Sequence, residues 1–142
     1  MSYIFDASAL LNLIRKAGSN AIEIVKENYI LDLALYEIGN VLWKEAILLK
    51  RISLEEALKT ISFIENLRKI LIAKSLSDED LLPKVLKISL QQKITYYDAA
   101  YITIAQNQKL TLITDDSKLI KTAKKLGVKT KTSSILIKAQ SN

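Results

Sequence analysis

The sequence predicts an α/β fold in which short parallel strands are covered by long helices. Apolar runs of strand length alternate with amphipathic segments of helical length. Gly and Pro are scarce, with three and one residues among 142, and 49% of the residues are hydrophobic, which argues against a disordered chain. No repeat or linker interrupts the pattern. Residues 1–142 are therefore predicted to form a single domain.

The strands are predicted from short apolar runs. SYIF and LTLIT are rich in the β-branched and aromatic residues that favour strands, and YILDL and VKTKT follow helical segments in the same way. Because a helix separates each strand from the next, the strands are expected to be parallel. They cover residues 2–5, 29–33, 110–114 and 128–132.

The helices are predicted from apolar residues at helical spacing and from their end signals. Ser19 or Asn20 is the expected cap of the second helix. Ser53 and Glu56 form a capping box at the start of the fourth, and Gly127 ends the last. The predicted helices cover residues 8–18, 19–28, 33–51, 53–73, 77–93, 94–106 and 117–127.

Two residue types are missing from the sequence, and their absence narrows the chemistry. The chain has no Cys and no His, which excludes thiolate nucleophiles, Ser-His-Asp arrangements and nearly all zinc sites. A bound metal would therefore have oxygen ligands, which Mg²⁺, Mn²⁺ and Ca²⁺ prefer.

No segment has the pattern of an export or membrane signal. The amino-terminal segment carries Asp6 where a signal peptide needs a long apolar run. No apolar stretch reaches the ~20 residues of a membrane span. The protein is therefore expected in the cytoplasm.

Positive charge is concentrated at the carboxyl-terminal end. The net charge is +6, and residues 117–142 contain seven lysines and no acid. Such a patch suits a polyanion such as nucleic acid. A lysine-rich surface that only keeps the protein in solution would have the same composition, so charge alone leaves both interpretations open.

Carboxylates directly follow two of the predicted strands. SYIF leads into Asp6, and LTLIT leads into Asp115 and Asp116. If the strands are parallel, their carboxyl ends lie at one edge of the sheet, where open α/β folds bind ligands. The sequence therefore predicts that these three acids lie at the same edge.

Glu37 lies on a narrow polar stripe of the helix predicted at 33–51. At 100° per residue, Glu37, Asn40 and Lys44 fall within about 60° of one another, with apolar residues on both sides. A solvated helix face would be broader and richer in charge. The stripe therefore favours a helix edge that faces a cleft.

Asp98 begins an otherwise apolar helix, and two interpretations of it are open. The positive end of the helix dipole stabilises an acid by about 0.3–1 kcal/mol, which would explain Asp98 without a functional role. Alternatively, Asp98 converges with Asp6, Glu37 and Asp116. Clustered carboxylates raise each other's pKa, and a divalent cation removes that penalty. Beside a cationic segment, such a site suits metal-assisted hydrolysis of a phosphodiester.

Four segments, taken in order, resemble the PIN domain family and most of all its VapC-type toxins. They are YIFDASALLNLI, YEIGNVLWK, YYDAAYITIA and LITDDSKL. The resemblance covers essentially the whole chain. It implies a three-layer α/β/α sandwich with a central, mostly parallel five-stranded sheet.

The resemblance also implies a role for each acid. Asp6, Asp98 and Asp116 would hold Mg²⁺ or Mn²⁺, directly or through water, and Glu37 would hold a metal-bound water or a second ion. Asp115 occupies a variable position, where it would assist its neighbour or be solvated. Three polar residues would orient the carboxylates from behind: Ser8, Asn40 and Thr114.

The resemblance further implies a function and partners. The protein would be a Mg²⁺- or Mn²⁺-dependent endoribonuclease, the toxin of a toxin–antitoxin pair that cuts structured RNA. A VapB-type antitoxin would silence it, and it would form a homodimer. Four lysines would hold the RNA backbone by charge without reading its sequence: Lys118, Lys121, Lys124 and Lys125.

Other interpretations of the same residues stay open. An RNA-processing nuclease without a toxin role, or a non-catalytic module that binds RNA or protein, would have the same fold. Haloacid-dehalogenase-type phosphatases place D-x-D after the first strand, where this chain has DAS. A phospho-receiver domain places paired acids there, whereas Asp115 and Asp116 come near the end of this chain.

Overall fold

A sheet of five parallel strands forms the centre of the computed structural model, which describes residues 2–141. The strand order is β3-β2-β1-β4-β5, and every neighbouring pair is parallel. This confirms the predicted sheet. The strands are β1 Tyr3–Phe5, β2 Tyr29–Leu31, β3 Ile72–Lys74, β4 Thr111–Ile113 and β5 Thr130–Lys131.

Helices form the connections between the strands. A 3₁₀ turn at Gly18–Asn20 precedes the second helix, and a π-helical segment at Lys44–Leu48 extends the third. No helix within residues 2–141 is long and apolar enough to cross a membrane. The helices are α1 Ala7–Ala17, α2 Ala21–Val25, α3 Asp32–Trp43, α4 Leu54–Leu67, α5 Leu82–Gln92, α6 Tyr96–Gln108, α7 Ser117–Lys125 and α8 Ser133–Ser141.

The helices lie in two layers, as predicted for a sandwich. Right-handed crossovers between parallel strands place α1 to α4 on one face and α5 to α7 on the other. The last helix, α8, returns to contact α1 and α2. The apolar side of α1, the helix α6 and the strands β1 and β4 all contribute to the core; its largest fully buried side chains include Ile4, Phe5, Leu10, Leu13, Leu112 and Ile113.

The helix α6 is the most buried helix of the fold. Seven consecutive residues, 99–105, are buried, and four of them are Ala or Thr. Small side chains let the helix approach its neighbours closely on every side, including α5. Asp98 is the residue just before this buried stretch, so its backbone position is firmly fixed.

The strand β3 corrects the predicted helix at 53–73. That helix ends at Leu67, and Ile72–Lys74 pairs with β2 instead. The apolar run ILIA continues the helical pattern but satisfies a strand equally well. Parallel pairing with Tyr29–Leu31 decides between the two, and no local signal in the sequence reveals that partner.

Other predicted boundaries also differ from the structure. The helix predicted at 77–93 begins at Leu82, because residues 76–80 form turns and Asp80 has a positive φ of 55°. The helix predicted at 19–28 is the short α2, and the Asn20 side chain makes no cap hydrogen bond. The helix α8 was not predicted. The remaining predicted elements are confirmed, with small shifts at their ends.

Candidate active site

The carboxyl ends of β1 and β4 bring three acids to one edge of the sheet. Asp6 follows β1, while Asp115 and Asp116 follow β4 after one intervening residue. Parallel pairing places Phe5 beside Ile113, and the Asp6 backbone N–H donates to the Ile113 carbonyl at 3.0 Å. The acids therefore stand side by side at the edge where α/β folds bind ligands.

Two helices add further acids to the same edge. Glu37 lies on α3, and Asp98 lies in the first turn of α6. Together with the strand-end acids they line one cleft, a cavity of about 480 Å³ whose opposite wall is the polar side of α1. Six acids line the cleft: Asp6, Glu37, Glu45, Asp98, Asp115 and Asp116.

Asp6 is the most deeply buried acid of the cleft, with 6% of its surface exposed. Its Oδ1 accepts hydrogen bonds from the Ser8 hydroxyl at 3.0 Å and from the Ala9 backbone N–H at 2.8 Å, so Asp6 also caps α1. Burial raises the pKa of Asp6 to about 6, although hydrogen bonds from Thr114, Ala9 and Ser8 oppose the rise and the charge of Asp115 adds to it. Ser8 and Thr114 thus both contact Asp6.

Glu37 is half-buried and has a phenol partner. The Tyr101 hydroxyl donates to Glu37 Oε1 at 2.6 Å, which joins α3 to α6 across the cleft. Burial raises the pKa of Glu37, and the nearby charge of Asp98 raises it further, while the hydrogen bond from Tyr101 lowers it. Burial and the same hydrogen bond raise the pKa of Tyr101, so this hydroxyl stays a donor.

Asp98 faces the cleft from the first turn of α6 and is not the capping residue. Thr95 caps the helix, since its Oγ1 accepts from the Asp98 backbone N–H at 3.1 Å. Burial raises the pKa of the Asp98 carboxyl, the charge of Asp116 raises it further, and a hydrogen bond from the Thr95 side chain opposes them. The carboxylate therefore lacks full compensation for its charge in the protein alone.

Asp115 has protein donors on both carboxylate oxygens. Its Oδ1 accepts from the Ser133 backbone N–H at 2.8 Å, and its Oδ2 accepts from the Ser133 hydroxyl at 2.7 Å and the Asn12 amide at 2.8 Å. Burial favours a higher pKa for Asp115, but the hydrogen bonds from Asn12 and Ser133 outweigh it and lower the pKa. Asp115 thereby ties the end of β4 to α1 and to the start of α8.

Asp116 differs from its neighbour in how its oxygens are used. Its Oδ1 accepts from the backbone N–H groups of Lys118 and Leu119 at 2.9 and 3.3 Å, which caps α7. The Asp116 backbone N–H in turn donates to the Thr114 hydroxyl at 3.1 Å. No donor within residues 2–141 contacts Oδ2, so this oxygen of Asp116 is available to a ligand.

Several residues that the sequence predicted as part of the site lie outside the cleft. Asn40 is exposed on α3 and Lys44 is exposed at the start of the π-helical segment, and no hydrogen bond in the described chain joins the Asn40 side chain to an acid. Four exposed lysines follow Asp116 along α7, beside the cleft and not within its lining: Lys118, Lys121, Lys124 and Lys125.

Five contributors to the cleft were not predicted. Asn12 and Arg15 continue the face of α1 that begins at Ser8, a helical periodicity that the sequence does contain. Tyr101 stands three residues after Asp98 on the same helix face. Glu45 continues the face of Glu37 and Val41 at intervals of four residues. Ser133 has no local signal, because its role comes from a contact between distant elements.

The acids suit a divalent cation, although they do not form a closed set of ligands. Burial and mutual repulsion raise the pKa of Asp6, Glu37 and Asp98, and a cation would relieve that repulsion. Within residues 2–141, no group of three acids stands close enough together to hold an ion. A cation here would therefore need water among its ligands, as Mg²⁺ commonly does.

The chain matches a known family model and two named relatives. The PIN domain model matches residues 3–125. Exonuclease VapC9 of Pyrobaculum aerophilum is 34% identical over 120 residues, which cover 84% of each chain. Ribonuclease VapC3 of the same organism is 32% identical over 125 residues, which cover 84% of this chain and 92% of the relative.

A solved structure has the same architecture along the whole chain. The crystal structure of PAE2754 from Pyrobaculum aerophilum superposes with a TM-score of 0.76 at 27% sequence identity. The match covers 100% of this chain and 91% of the other. The two proteins therefore share the same overall fold.

Proposed function

Because the chain belongs to the PIN domain family, we propose that it is a VapC-type toxin ribonuclease that hydrolyses RNA phosphodiester bonds with a divalent cation. The observation that carries the proposal is the convergence of Asp6, Glu37, Asp98 and Asp116 on one cleft. Two relatives with more than 30% identity are named as nucleases. The finer parts of the proposal are a requirement for Mg²⁺ or Mn²⁺ and cleavage within the RNA chain.

Asp6, Asp98 and Asp116 would hold the cation, with water completing its ligands, and Glu37 would hold one of those waters. When bound, the ion would neutralise charge on a phosphoryl oxygen and lower the pKa of water. The hydrogen bonds from Ser8 and the Ala9 backbone keep Asp6 in place. Asp115 would serve the site by holding the end of β4, because its own oxygens are engaged.

Glu37 is the side chain that would accept the proton of the attacking water. Tyr101 donates to Oε1, and no donor within residues 2–141 contacts Oε2. The raised pKa of Glu37 makes it a better base than a solvated carboxylate. A chain without His needs a carboxylate or a metal-bound hydroxide for this step.

The lysines of α7 would hold the RNA backbone where it enters the cleft. The helix begins at Asp116, so its nine residues extend about 14 Å away from the acids. Contacts of this kind position a substrate by charge and are independent of base sequence. The four lysines are Lys118, Lys121, Lys124 and Lys125.

We also propose a homodimer, a VapB-type antitoxin and a cytoplasmic location. Large apolar side chains are exposed along α3 and α4, an amount of surface that suits a protein partner. Light scattering would give the oligomeric state. The most exposed of these side chains are Tyr36 at 78%, Trp43 at 52%, Leu54 at 62% and Leu58 at 67%.

The proposal is tested by RNA cleavage in the presence and absence of Mg²⁺ or Mn²⁺. We expect the wild-type protein to cut RNA only with the cation, and Asp98→Asn to be inactive while it remains folded. A matched control is Asp78→Asn, which removes the same charge from an exposed turn outside the cleft. Equal cleavage by the wild type and Asp98→Asn would contradict the proposal.

Two further readouts test its finer parts. A circular RNA is cut by an endonuclease and resists an exonuclease, which bears on the name of one relative. Expression of the wild type, but not of Asp6→Asn, should arrest growth if the protein is a toxin. RNA cleavage without growth arrest would favour an RNA-processing role, and RNA binding without cleavage would favour a non-catalytic module.

A further inference from the structure

Arg15 is the one cationic side chain that lines the acid cleft within residues 2–141. It lies in the last turn of α1. Ser8, Leu11 and Asn12 line the same cleft at intervals of three or four residues, so Arg15 extends the cleft face of this helix. Arg15 therefore lines the cleft, although its side chain is 36% exposed.

Arg15 is held in the cleft by an acid that the proposed hydrolysis does not use. Its Nη2 and Nη1 lie 2.5 and 3.2 Å from Oε1 and Oε2 of Glu45, a two-pronged contact. Glu45 lies in the π-helical extension of α3, and its side chain is 16% exposed. The hydrogen bond from Arg15 lowers the pKa of Glu45, so the acid is ionised at neutral pH.

A phosphate group can replace Glu45 with little change in geometry. The planar guanidinium fork binds carboxylates and phosphates in the same two-pronged manner. Only two of its five N–H groups are used by Glu45. Ion pairs that are partly exposed contribute little to stability, so exchange of the partner is easy.

The negative charge of the cleft favours this exchange of Glu45 for a phosphate, because an RNA phosphate needs a cationic partner there. Six acids line it, and an RNA phosphate that approaches them is repelled even when one divalent cation is bound. The lysines of α7 lie beside the cleft and cannot offset that repulsion inside it. A phosphate within the cleft therefore has Arg15 as its cationic side-chain partner.

We propose that Arg15 binds an RNA phosphate next to the scissile bond, and that Glu45 is a latch that holds Arg15 until the RNA displaces it. The inference rests on the proposed RNA substrate. Glu45 then competes with the substrate for the guanidinium. Its presence lowers the affinity for RNA, and this distinguishes a latch from an acid that merely supports the fold.

The two partners should therefore have opposite effects on substrate binding. Arg15→Gln should raise KM about tenfold with a smaller change in kcat, the loss of one charge-assisted contact. Glu45→Gln should lower KM by about threefold. The change releases the Arg15 guanidinium, and it removes no contact to RNA because Glu45 makes none. Arg15→Gln should also reduce the slope of log affinity against log salt by about 0.7 for single-stranded RNA.

Two controls separate the latch from simpler effects. In the Arg15→Gln background, Glu45→Gln should have no further effect on KM, since no guanidinium remains to be released. The matched control pair is Arg68 and Glu65, whose atoms lie 2.6 Å apart near the end of α4 and outside the cleft. The corresponding Gln variants of this pair should leave KM unchanged.

Three outcomes would overturn the latch. If Glu45→Gln raises KM as Arg15→Gln does, the pair is only a structural tie. If Glu45→Gln lowers KM equally without Arg15, the effect is simple removal of negative charge. If Glu45→Gln abolishes cleavage, Glu45 belongs with the acids that hold the cation.

The latch can fail separately from the proposed hydrolysis. If the wild type binds RNA without cutting it, the same variants are compared by their affinity for a single-stranded oligonucleotide, and the opposite signs are still expected. If the wild type binds no RNA at all, both proposals are wrong.

Discussion

Two sets of carboxylates stand at the same end of the sheet and are treated differently by the protein. Asp115 has donors on both oxygens, from Asn12 and Ser133, and its pKa is lowered. Asp6 is buried beside Asp115, Asp98 is half-buried near Asp116, and the pKa values of both are raised. The first arrangement stabilises the folded chain, whereas the second destabilises it.

This difference indicates which acids are structural and which are reserved for a ligand. A carboxylate whose two oxygens both accept hydrogen bonds from the protein is a poor ligand for a cation. Its removal lowers the free energy of unfolding. A carboxylate whose burial is only partly offset by hydrogen bonds is costly to the fold, and such groups are typical of functional sites, where a ligand can stabilise the charge. Asp116 is exposed, but it is also open to a ligand, because its Oδ2 has no donor within residues 2–141.

The largest expected effect separates the two adjacent acids after β4. Asp116→Asn should slow RNA cleavage by about 10³-fold or more, since the loss of a metal ligand removes several kcal/mol of transition-state stabilisation. Asp115→Asn should retain activity within about tenfold, because Asn keeps an acceptor for Ser133. Single-turnover cleavage rates check this pair. A reversed order of the two variants would contradict the assignment of Asp116 as a ligand.

The next effect concerns stability and should follow the opposite order. Asp115→Ala removes three hydrogen bonds, one of them to a buried hydroxyl, and should lower the free energy of unfolding by about 2–3 kcal/mol. Asp116→Ala loses only the cap of α7 and should cost about 1 kcal/mol. Urea unfolding without metal measures both. A smaller loss of stability for Asp115→Ala than for Asp116→Ala would contradict the assignment of Asp115 as the structural acid.

Asp6→Asn should stabilise the metal-free protein near pH 7.5. The folded pKa of about 6 lies above the ordinary aspartate pKa of 3.8, so the stability due to Asp6 is fully present below pH 3.8 and is lost as the pH rises through 6. Such a difference in pKa corresponds to at most about 3 kcal/mol, and we expect a gain of about 1–2 kcal/mol after relaxation. Asn keeps the cap of α1.

The pH dependence is the control for this prediction. The advantage of Asp6→Asn should shrink as the pH is lowered from 6 towards 4, because the folded wild-type carboxyl is then protonated and the unfolded one is becoming so. Thermal melts in a chelating buffer across this range measure it. Saturating Mg²⁺ should then reverse the order of the two proteins, because the cation stabilises only the chain that binds it. A variant that is less stable at every pH would contradict the assignment of Asp6 as an uncompensated charge.

The smallest expected effect is that of Tyr101→Phe. This change removes the hydrogen bond to Glu37 without altering the packing of α6. We expect kcat to fall about fivefold, equivalent to about 1 kcal/mol, because Glu37 keeps its place but loses its orientation. KM should change less. A Phe variant with unchanged kcat would show that the hydroxyl has no influence on catalysis.

The sequence predicted the acids of the cleft better than it predicted the residues that hold those acids in place. Asp6, Asp115 and Asp116 come directly after apolar runs, and the geometry of parallel strands brings such positions together. Ser133 is 18 residues from its partner Asp115, and Asn12 is 103 residues away. Only the assembled tertiary structure creates those contacts, so no local pattern distinguishes Asp115 from Asp116.

The fold was predicted to a similar extent, and the single domain over residues 1–142 stays a prediction. The apolar runs between helices correctly predicted four of the strands. The strand β3 was predicted as part of a helix, because the run ILIA also fits a helical pattern. The roles of Asn40 and the α7 lysines also stay predictions. Of the polar stripe Glu37, Asn40 and Lys44, Glu37 lines the cleft, whereas Asn40 and Lys44 are exposed outside it.

The contact between Asp115 and Ser133 gives the site an order of assembly. All six acids of the cleft have been translated once the ribosome reaches residue 116, and Ser133 is added later. A chain still in synthesis thus carries every carboxylate of the cleft before the end of β4 has its tie to α8. The PIN domain match ends at residue 125, so the piece that completes this wall lies beyond the part shared with the family model. A segment translated after all of these acids is therefore the one that secures the β4 wall of the cleft.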